Sequence, residues 1–221
     1  MSEAAPGFPD LEQFATPERS RLAEAVRRAI DVVMTVENAT VEQMLAAAES
    51  FETATALLAG PRAADSVGPR RTSSDRNHGD YLPRSPIVGE SSPLAPPIAW
   101  EWQPPKIIGR VVFGAAYEGP PSYVHGGIIA LAFDEMLGMA NIASGHPGMT
   151  GTLTVRYRRP TPLYHEVDFE AWVVKVEGRR IATRGTLSYE DALCAECDGL
   201  FIQPRPELAA EYFGRPFGEP N

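Results

Sequence analysis

Cysteine and histidine are scarce in this chain of 221 residues, with two of the former and four of the latter. The two cysteines, Cys194 and Cys197, form a C-x-x-C pair, a spacing that occurs in redox and metal sites. A second such pair, a neighbouring histidine and a following helix are all missing. Residues three apart on a strand point to opposite faces, so the pattern predicts two separate packing cysteines. We expect a reducing, cytoplasmic setting, with neither a bound metal nor a cofactor.

Basic side chains are outnumbered: 20 lysines and arginines stand against 29 aspartates and glutamates, which gives a formal net charge of −9. A protein that binds nucleic acid through its phosphates needs a basic surface, so this balance argues against a general nucleic-acid binder. A local basic patch remains compatible with a phosphorylated small molecule.

Long apolar runs are lacking too. The longest run, around 128–142, is interrupted by Asp134, Glu135 and Asn141, which disfavours a membrane span. No N-terminal stretch joins a positive flank to an apolar run, so no signal peptide is predicted. Hydrophobic residues nevertheless make up 43% of the chain, which suffices for a sizeable core.

The beginning of the chain, 1–59, is predicted to be a helical extension. Thr16 precedes a proline at the start of an amphipathic stretch, and Thr40 opens a capping-box sequence, Thr-Val-Glu-Gln. Residues 60–97 are rich in proline, glycine and serine, which predicts a linker. We expect its first half to be mobile and its second half, from about Tyr81, to wrap the domain surface.

The main domain is predicted at 98–203, followed by a C-terminal tail at 204–221. Several of its stretches alternate between apolar and polar residues, which predicts strands. Two strands precede one long apolar helix, and four strands joined mostly by tight turns follow it. This order is typical of an α+β fold with an antiparallel sheet. Because a helix without a polar face must be surrounded, the sheet should curl around it.

That helix contains the residues most indicative of function. His125, Gly126 and Gly127 stand at its start, and Asp134 and Glu135 lie in its middle. Buried carboxylates are rarely left uncompensated, so a polar cleft should face one of them. The free N–H groups and positive dipole of a helix start suit a carbonyl oxygen that gains negative charge. Asp134 suits direct attack on the carbonyl carbon or activation of a water.

Two stretches carry a family resemblance: EGPPSYVHGGIIALAFDE at 118–135 and GMTGTLTVRYRRPTPL at 148–163. Together they resemble the hotdog-fold acyl-CoA thioesterases, and most closely the PaaI-like branch, which is related to the 4-hydroxybenzoyl-CoA thioesterases. The resemblance covers 98–203 and implies a sheet wrapped around one long central helix. It also implies hydrolysis of an acyl-CoA to a free acid and CoA, with CoA as part of the substrate.

Helix geometry adds a constraint on such a site. Asp134 follows Gly126 by eight residues, which is about 12 Å along a helix. One carbonyl cannot touch both groups of the same helix, so Gly126 of one chain is predicted to work with Asp134 of another across an isologous dimer. The resemblance implies the same homodimer, and a dimer of dimers is compatible with it.

Further residues have predicted roles. The resemblance implies that His125 positions the substrate carbonyl or secures the loop, and that Thr150 hydrogen-bonds the catalytic carboxylate or its water. Glu135 is expected to face solvent or an interface, because adjacent helix positions cannot both point at one site. Three arginines are candidates for binding the CoA phosphates, with a solvated strand face as the alternative: Arg156, Arg158 and Arg159.

Alternative functions fit the sequence less well than thioester hydrolysis. A non-hydrolytic acyl-CoA-binding module would share the fold but would not need the carboxylate of Asp134. A hotdog hydratase or dehydratase usually pairs an aspartate with a histidine, an arrangement that His146 and His165 do not recreate. A serine hydrolase is disfavoured because no G-x-S-x-G sequence occurs, and the histidines are too scattered for a zinc site. Compact family members lack a region like 1–97, and three roles are compatible with it: packing of a dimer or tetramer, a lid over the acyl tunnel, or an unrelated contact.

Overall fold

The chain folds around a six-stranded antiparallel sheet that curls against one helix. The computed structural model describes residues 16–58, 84–96 and 98–205. The strands, in chain order, are β1 Ala99–Gln103, β2 Lys106–Val112, β3 Met149–Tyr157, β4 Glu166–Glu177, β5 Arg180–Tyr189 and β6 Ala192–Ile202. In the sheet they follow the order β1-β2-β4-β5-β6-β3. The long helix, Gly126–Ala143, connects β2 to β3, which confirms the predicted α+β architecture.

This helix, α3 in chain order, forms the centre of the core because it has no polar face to turn outward. The Phe133 ring meets Phe169 of β4 edge-on, with centroids 5.3 Å apart. On β6, a Cβ at Gly199 would lie 2.6 Å from a methyl carbon of Leu137, so glycine is what lets helix and sheet approach this closely. Eight of its 18 residues are buried: Ile129, Ala132, Phe133, Met136, Leu137, Met139, Ala140 and Asn141.

Within the described ranges, α3 is also the one helix long and apolar enough to cross a membrane, with a mean hydropathy of 1.3 over an 18-residue window. A core helix of a soluble protein meets the same criterion. Here α3 packs against β2 to β6, and its buried residues belong to the core shared with those strands.

Strand β3 forms one edge of the sheet. It pairs with β6 and with no other described strand, and the register shifts between Thr150 and Thr152. One side of this nine-residue strand therefore has no strand beside it, and Met149 and Tyr157 at its two ends are exposed. An open edge of this length is a template for pairing with another chain.

Two helices precede the domain, as the capping sequences predict. Thr16 caps α1, Pro17–Thr35, and Thr40 caps α2, Val41–Leu57, through the predicted capping box. Ala23 is the one buried residue in the described parts of these two helices. Both helices thus form from local signals while contributing little to the core.

The segment 84–96 wraps the domain. Ile87 and Val88 are buried, and the Ile98 N–H donates to the Ile87 carbonyl at 3.1 Å. The described part of the linker therefore packs on the domain as expected. The predicted mobile first half and most of the tail 204–221 lie outside the described residues, so the domain boundaries stay predictions.

Both cysteines are buried and free of any disulfide. Cys197 belongs to the core cluster around α3, and burial raises the pKa of its thiol to about 11. A thiol with a raised pKa is a poor nucleophile because the reactive form is the thiolate. The environment of Cys197 is in keeping with the predicted packing role.

Candidate active site

The turn before α3 is held by hydrogen bonds on both sides of His125. The His125 N–H donates to the Tyr117 carbonyl at 2.8 Å. The ring Nδ1 accepts from the Gly127 N–H at 2.9 Å, so the side chain caps the helix. Gly119 packs on the same residue, because a Cβ there would lie 2.7 Å from His125 Cα. Of the two roles expected for His125, this geometry is that of securing the loop.

The Gly126 N–H has no hydrogen-bond partner among the residues that the structure describes. The carbonyl of the same peptide unit, that of His125, accepts from the N–H groups of Ile128 at 3.0 Å and Ile129 at 3.2 Å. Hydrogen bonds to a carbonyl polarise its peptide, and the helix dipole adds positive potential at this end. The Gly126 amide is therefore a fixed donor suited to an oxygen that gains negative charge.

Gly127 differs from Gly126, and this corrects the sequence prediction. The sequence predicts that both amides are free to bind a carbonyl oxygen. In the structure the Gly127 N–H already donates to His125 Nδ1, an ordinary helix-capping bond. The arrangement therefore offers one amide, that of Gly126, because the rotamer of the histidine occupies the other.

Tyr157, the last residue of β3, borders Gly126. Its hydroxyl donates to the Gly126 carbonyl at 2.7 Å, and burial raises the pKa of this phenol. The sequence periodicity places Tyr157 on the buried face with Leu153 and Val155, but 52% of its surface is exposed. Nothing local marks it as a site residue, since the contact depends on how the edge strand passes the helix start.

Asp134 lies about two turns along α3 from Gly126 and is half-buried. The Thr150 hydroxyl donates to Asp134 Oδ1 at 2.6 Å, which is the hydrogen bond that the family resemblance implies. Oδ2 has no hydrogen-bond partner among the described residues. The carboxylate is thus oriented by one oxygen and open at the other. Eight residues of α-helix span about 12 Å, so Asp134 lies about that far along α3 from the Gly126 amide of its own chain.

Glu135 lies under the chain's own segment 84–96, so the solvent-facing part of the expectation for this residue is wrong. Its carboxylate is half-buried beneath the segment 84–96, where Oε2 accepts from the Ser85 hydroxyl at 3.1 Å. Burial raises the pKa of Glu135, the Ser85 hydrogen bond opposes that rise, and the Asp134 charge adds to it. The adjacent carboxylates therefore have different environments. Neither belongs to a metal-binding group, since no three His, Cys, Asp or Glu residues cluster within the described ranges.

The three candidate arginines also differ from one another. Arg156 pairs with Asp198 at 2.6 Å, and Arg158 pairs with Glu196, so both guanidinium groups already contact carboxylates on β6. The bond and charge of Asp198 raise the pKa of Arg156. Arg159 is exposed and has no ion-pair partner in the part of the chain that the structure describes. A solvated strand face therefore describes the first two, and Arg159 is the arginine available to a ligand.

Comparison with known protein sequences points to one superfamily. A family model of the Thioesterase superfamily matches residues 122–195, the range that contains Gly126, Asp134 and Thr150. Acyl-coenzyme A thioesterase THEM4 of Xenopus laevis is 37% identical over 95 residues, which is 42% of this chain and 43% of that protein. The Mus musculus protein of the same name is 35% identical over 96 residues, 42% of this chain and 41% of that protein. The chain thus spans less than half the length of these curated relatives.

A solved structure extends the likeness over more of the chain. The crystal structure of a thioesterase superfamily protein is 32% identical, with a TM-score of 0.72. The match covers 83% of this chain and 94% of that one, so it takes in more than the domain at 98–203. The sheet wrapped around α3 is the hotdog fold that the resemblance implies. This chain belongs to the thioesterase superfamily.

Proposed function

We propose that this chain hydrolyses an acyl-CoA thioester to a free carboxylic acid and CoA. The observation that carries the proposal is an unpartnered Gly126 N–H on the same helix as a carboxylate, Asp134, which Thr150 orients. Thioester hydrolysis needs a donor for the carbonyl oxygen and a group that brings an attacking oxygen to the carbonyl carbon. The THEM4 relatives are named for the same activity.

In the proposed reaction, the thioester carbonyl oxygen accepts from the Gly126 N–H, which stabilises its developing negative charge. Asp134 acts as a general base or as a nucleophile. As a base it takes a proton from water, whose oxygen adds to the carbonyl carbon. The C–S bond then breaks, and the CoA thiolate takes up a proton. As a nucleophile, its carboxylate oxygen adds to the carbonyl carbon and the C–S bond breaks, which expels the CoA thiolate and leaves a mixed anhydride. In a second step water hydrolyses this anhydride, which releases the free acid and restores the carboxylate.

The proposal requires two copies of the chain at each site. Gly126 and Asp134 are about 12 Å apart along α3, too far to share one carbonyl. A two-fold dimer solves this by setting the Gly126 amide of one copy beside Asp134 of the other. The open edge of β3, with Thr150 near one end and Tyr157 at the other, supports pairing of two copies next to the site.

CoA recognition is proposed to rest on Arg159. The 3′-phosphate and pyrophosphate of CoA suit guanidinium groups, and Arg159 is the one of the three arginines without a carboxylate partner among the described residues. We place the reaction in the reducing cytoplasm, with CoA as a product and no separate cofactor.

The first test is thiol release from a panel of acyl-CoAs, from acetyl to palmitoyl and aryl. We expect wild-type protein to release CoA and Asp134→Asn to lose at least about a hundredfold in rate. Glu135→Gln is the matched control, because it neutralises the adjacent carboxylate on the covered side and should keep most of the activity. Equal rates for wild type and Asp134→Asn would remove Asp134 from the mechanism. Binding of acyl-CoA without any release would favour the non-hydrolytic module.

The second test isolates the Gly126 N–H. Gly126→Pro deletes that N–H at the first position of the helix, where proline is well tolerated. The preceding His125 already has the extended backbone that proline requires, with ψ 132°. Gly126→Ala is the control, because it adds a Cβ but keeps the N–H. We expect the proline variant to be about a hundredfold slower than the alanine variant. Equal kcat values would argue against this amide as the oxyanion donor.

The third test asks whether sites are shared between copies. Mixing Asp134→Asn with Gly126→Pro gives heterodimers with one intact Gly126 and Asp134 pair and one dead pair. Random exchange should restore about a quarter of wild-type activity. Mass spectrometry of differently tagged chains measures the exchange. Complete exchange without any rescue would contradict the shared site.

A further inference from the structure

The N-terminal helix α1 touches the turn that leads to the proposed site. Asp31, half-buried on α1, accepts at Oδ1 from the Ala115 N–H at 3.2 Å and from the Tyr164 hydroxyl at 3.3 Å. The carboxylate sits close to the backbone, since a Cβ at Gly114 would lie 2.9 Å from the same oxygen. This residue therefore fixes the start of the short 3₁₀ turn Ala115–Tyr117.

That turn is one hydrogen bond away from the helix start. The Tyr117 N–H donates to the Gly114 carbonyl at 3.1 Å, which closes the turn. The Tyr117 carbonyl accepts from the His125 N–H at 2.8 Å. His125 in turn supplies the peptide unit whose N–H belongs to Gly126. A continuous series of hydrogen bonds and peptide units thus connects the Asp31 carboxylate to the amide proposed to bind the carbonyl oxygen.

We infer that Asp31 is a positioning residue, which sets the direction of the Gly126 N–H through the turn Ala115–Tyr117 and His125. The catalytic consequence rests on the proposed function, whereas the structural coupling does not. This gives α1 a role in the proposed site, although the helix buries only Ala23. Asp31 does not touch substrate in this scheme and acts through the backbone.

The contact is separable from the docking of α1. Arg27 donates to the carbonyls of Ser92 at 2.7 Å and Glu90 at 3.3 Å, and Ala23 is buried. These interactions hold α1 without Asp31. A substitution at Asp31 therefore removes the contact with the turn while the helix keeps its other anchors.

The test compares Asp31→Ala with Asp31→Asn. Alanine removes the acceptor oxygen, whereas asparagine keeps an oxygen in the same place. We expect Asp31→Ala to lower kcat about tenfold with KM changed less than about twofold, because the donor matters most in the transition state. Asp31→Asn should recover most of that loss. Arg28→Ala, on the exposed surface of the same helix, is the control and should behave as wild type.

A second readout does not depend on catalysis. Amide hydrogen exchange of Ala115 and His125 should speed up in Asp31→Ala and return toward wild type in Asp31→Asn. Gly114→Ala approaches the contact from the other side, because its Cβ displaces the carboxylate, and it should give the same local change. Unchanged kcat and unchanged exchange in Asp31→Ala would overturn the inference. Faster exchange throughout α3 would also overturn it, since the role would then be general stability.

The two proposals fail in different ways. If wild-type protein hydrolyses no thioester, the proposed function is wrong, and the exchange rates at Ala115 and His125 still decide the coupling. If wild type is active and Asp31→Ala matches it in kcat and in exchange, the hydrolase stands and the positioning role falls.

Discussion

The inward face of α3 and its open side, which carries Gly126 and Asp134 next to the edge strand β3, place residues of one helix in opposite environments. Inward, Phe133 and Leu137 have no exposed surface, because β4, β5 and β6 close over them. On the open side, Gly126 leaves an amide without a partner, and Asp134 is half-buried beside the edge strand β3. The same helix therefore supports the core on one side and presents polar groups on the other.

This difference distinguishes the part of the fold that a single chain covers with its own residues from the part that it leaves uncovered. The core needs no further partner, since its apolar residues are covered by the chain itself. The open side of α3 lacks such cover, because the edge strand β3 beside it pairs with a strand on only one of its own sides among the described strands. Substitutions at the two places should therefore have different effects. Those on the inward face should lower stability, and those on the open side should lower catalytic activity.

The largest expected effect is on the inward face. Phe133→Ala should lower the free energy of unfolding by about 3–5 kcal/mol, because it leaves a cavity beside Phe169. Leu131→Ala is the control on the same helix, since Leu131 is 40% exposed and should cost about 1 kcal/mol or less. Urea unfolding monitored by fluorescence measures both. A large loss for Leu131→Ala that varies with protein concentration would mean that a second copy covers this side.

On the open side, substitutions should change catalysis more than stability. Thr150→Ala removes the hydroxyl that holds Asp134 and should lower kcat about tenfold, while the exposed strand position keeps the stability change to about 1 kcal/mol or less. Thr150→Ser keeps the hydroxyl and should retain most of the activity. Steady-state kinetics and thermal unfolding separate the two quantities. If serine is as slow as alanine, the methyl group matters and the hydrogen bond does not.

Local signals explain what the sequence could predict. The caps at Thr16 and Thr40 depend on side chains a few residues away, and α3 was recognisable from its unbroken apolar composition. The Thr150 to Asp134 hydrogen bond followed from family resemblance, which transfers a contact without its geometry. These features depend on residues close in sequence, or on a family sequence motif in which the contact is already known.

What the sequence could not predict depends on distant contacts or on a rotamer. Tyr157 reaches Gly126 across 31 residues of chain, and Ser85 reaches Glu135 across 50. Periodicity cannot place such partners, because it describes which face a residue takes and not what lies opposite. The Gly127 N–H is hydrogen-bonded and the Gly126 N–H is not, because of the ring orientation of His125. Sequence spacing does not determine that orientation.

The arginines at the end of β3 show whether the open side also binds the CoA part of the substrate. Arg159→Ala should raise KM for an acyl-CoA about fivefold, whereas Arg158→Ala should have a smaller effect because Glu196 already engages that guanidinium group. Acyl-pantetheine thioesters lack the CoA phosphates and serve as control substrates, for which both variants should match wild type. An equal rise in KM with both substrates would exclude phosphate recognition by Arg159.

The smallest expected effect is a pH-dependent change in stability at Glu135, which is half-buried and adjacent to Asp134 on α3. Burial raises the pKa of Glu135 above its ordinary value of 4.5, so the folded chain holds this proton more tightly than the unfolded chain. Its contribution to stability is therefore present at low pH and declines as the pH rises above the unfolded pKa. Glu135→Gln keeps an oxygen that accepts from Ser85 and removes the charge. The Tm of Glu135→Gln minus the Tm of wild type should therefore become larger as the pH is raised from about 4 to about 7. A Tm difference that stays constant over this range would mean that the carboxylate is solvated, and that the segment 84–96 does not cover this side of α3.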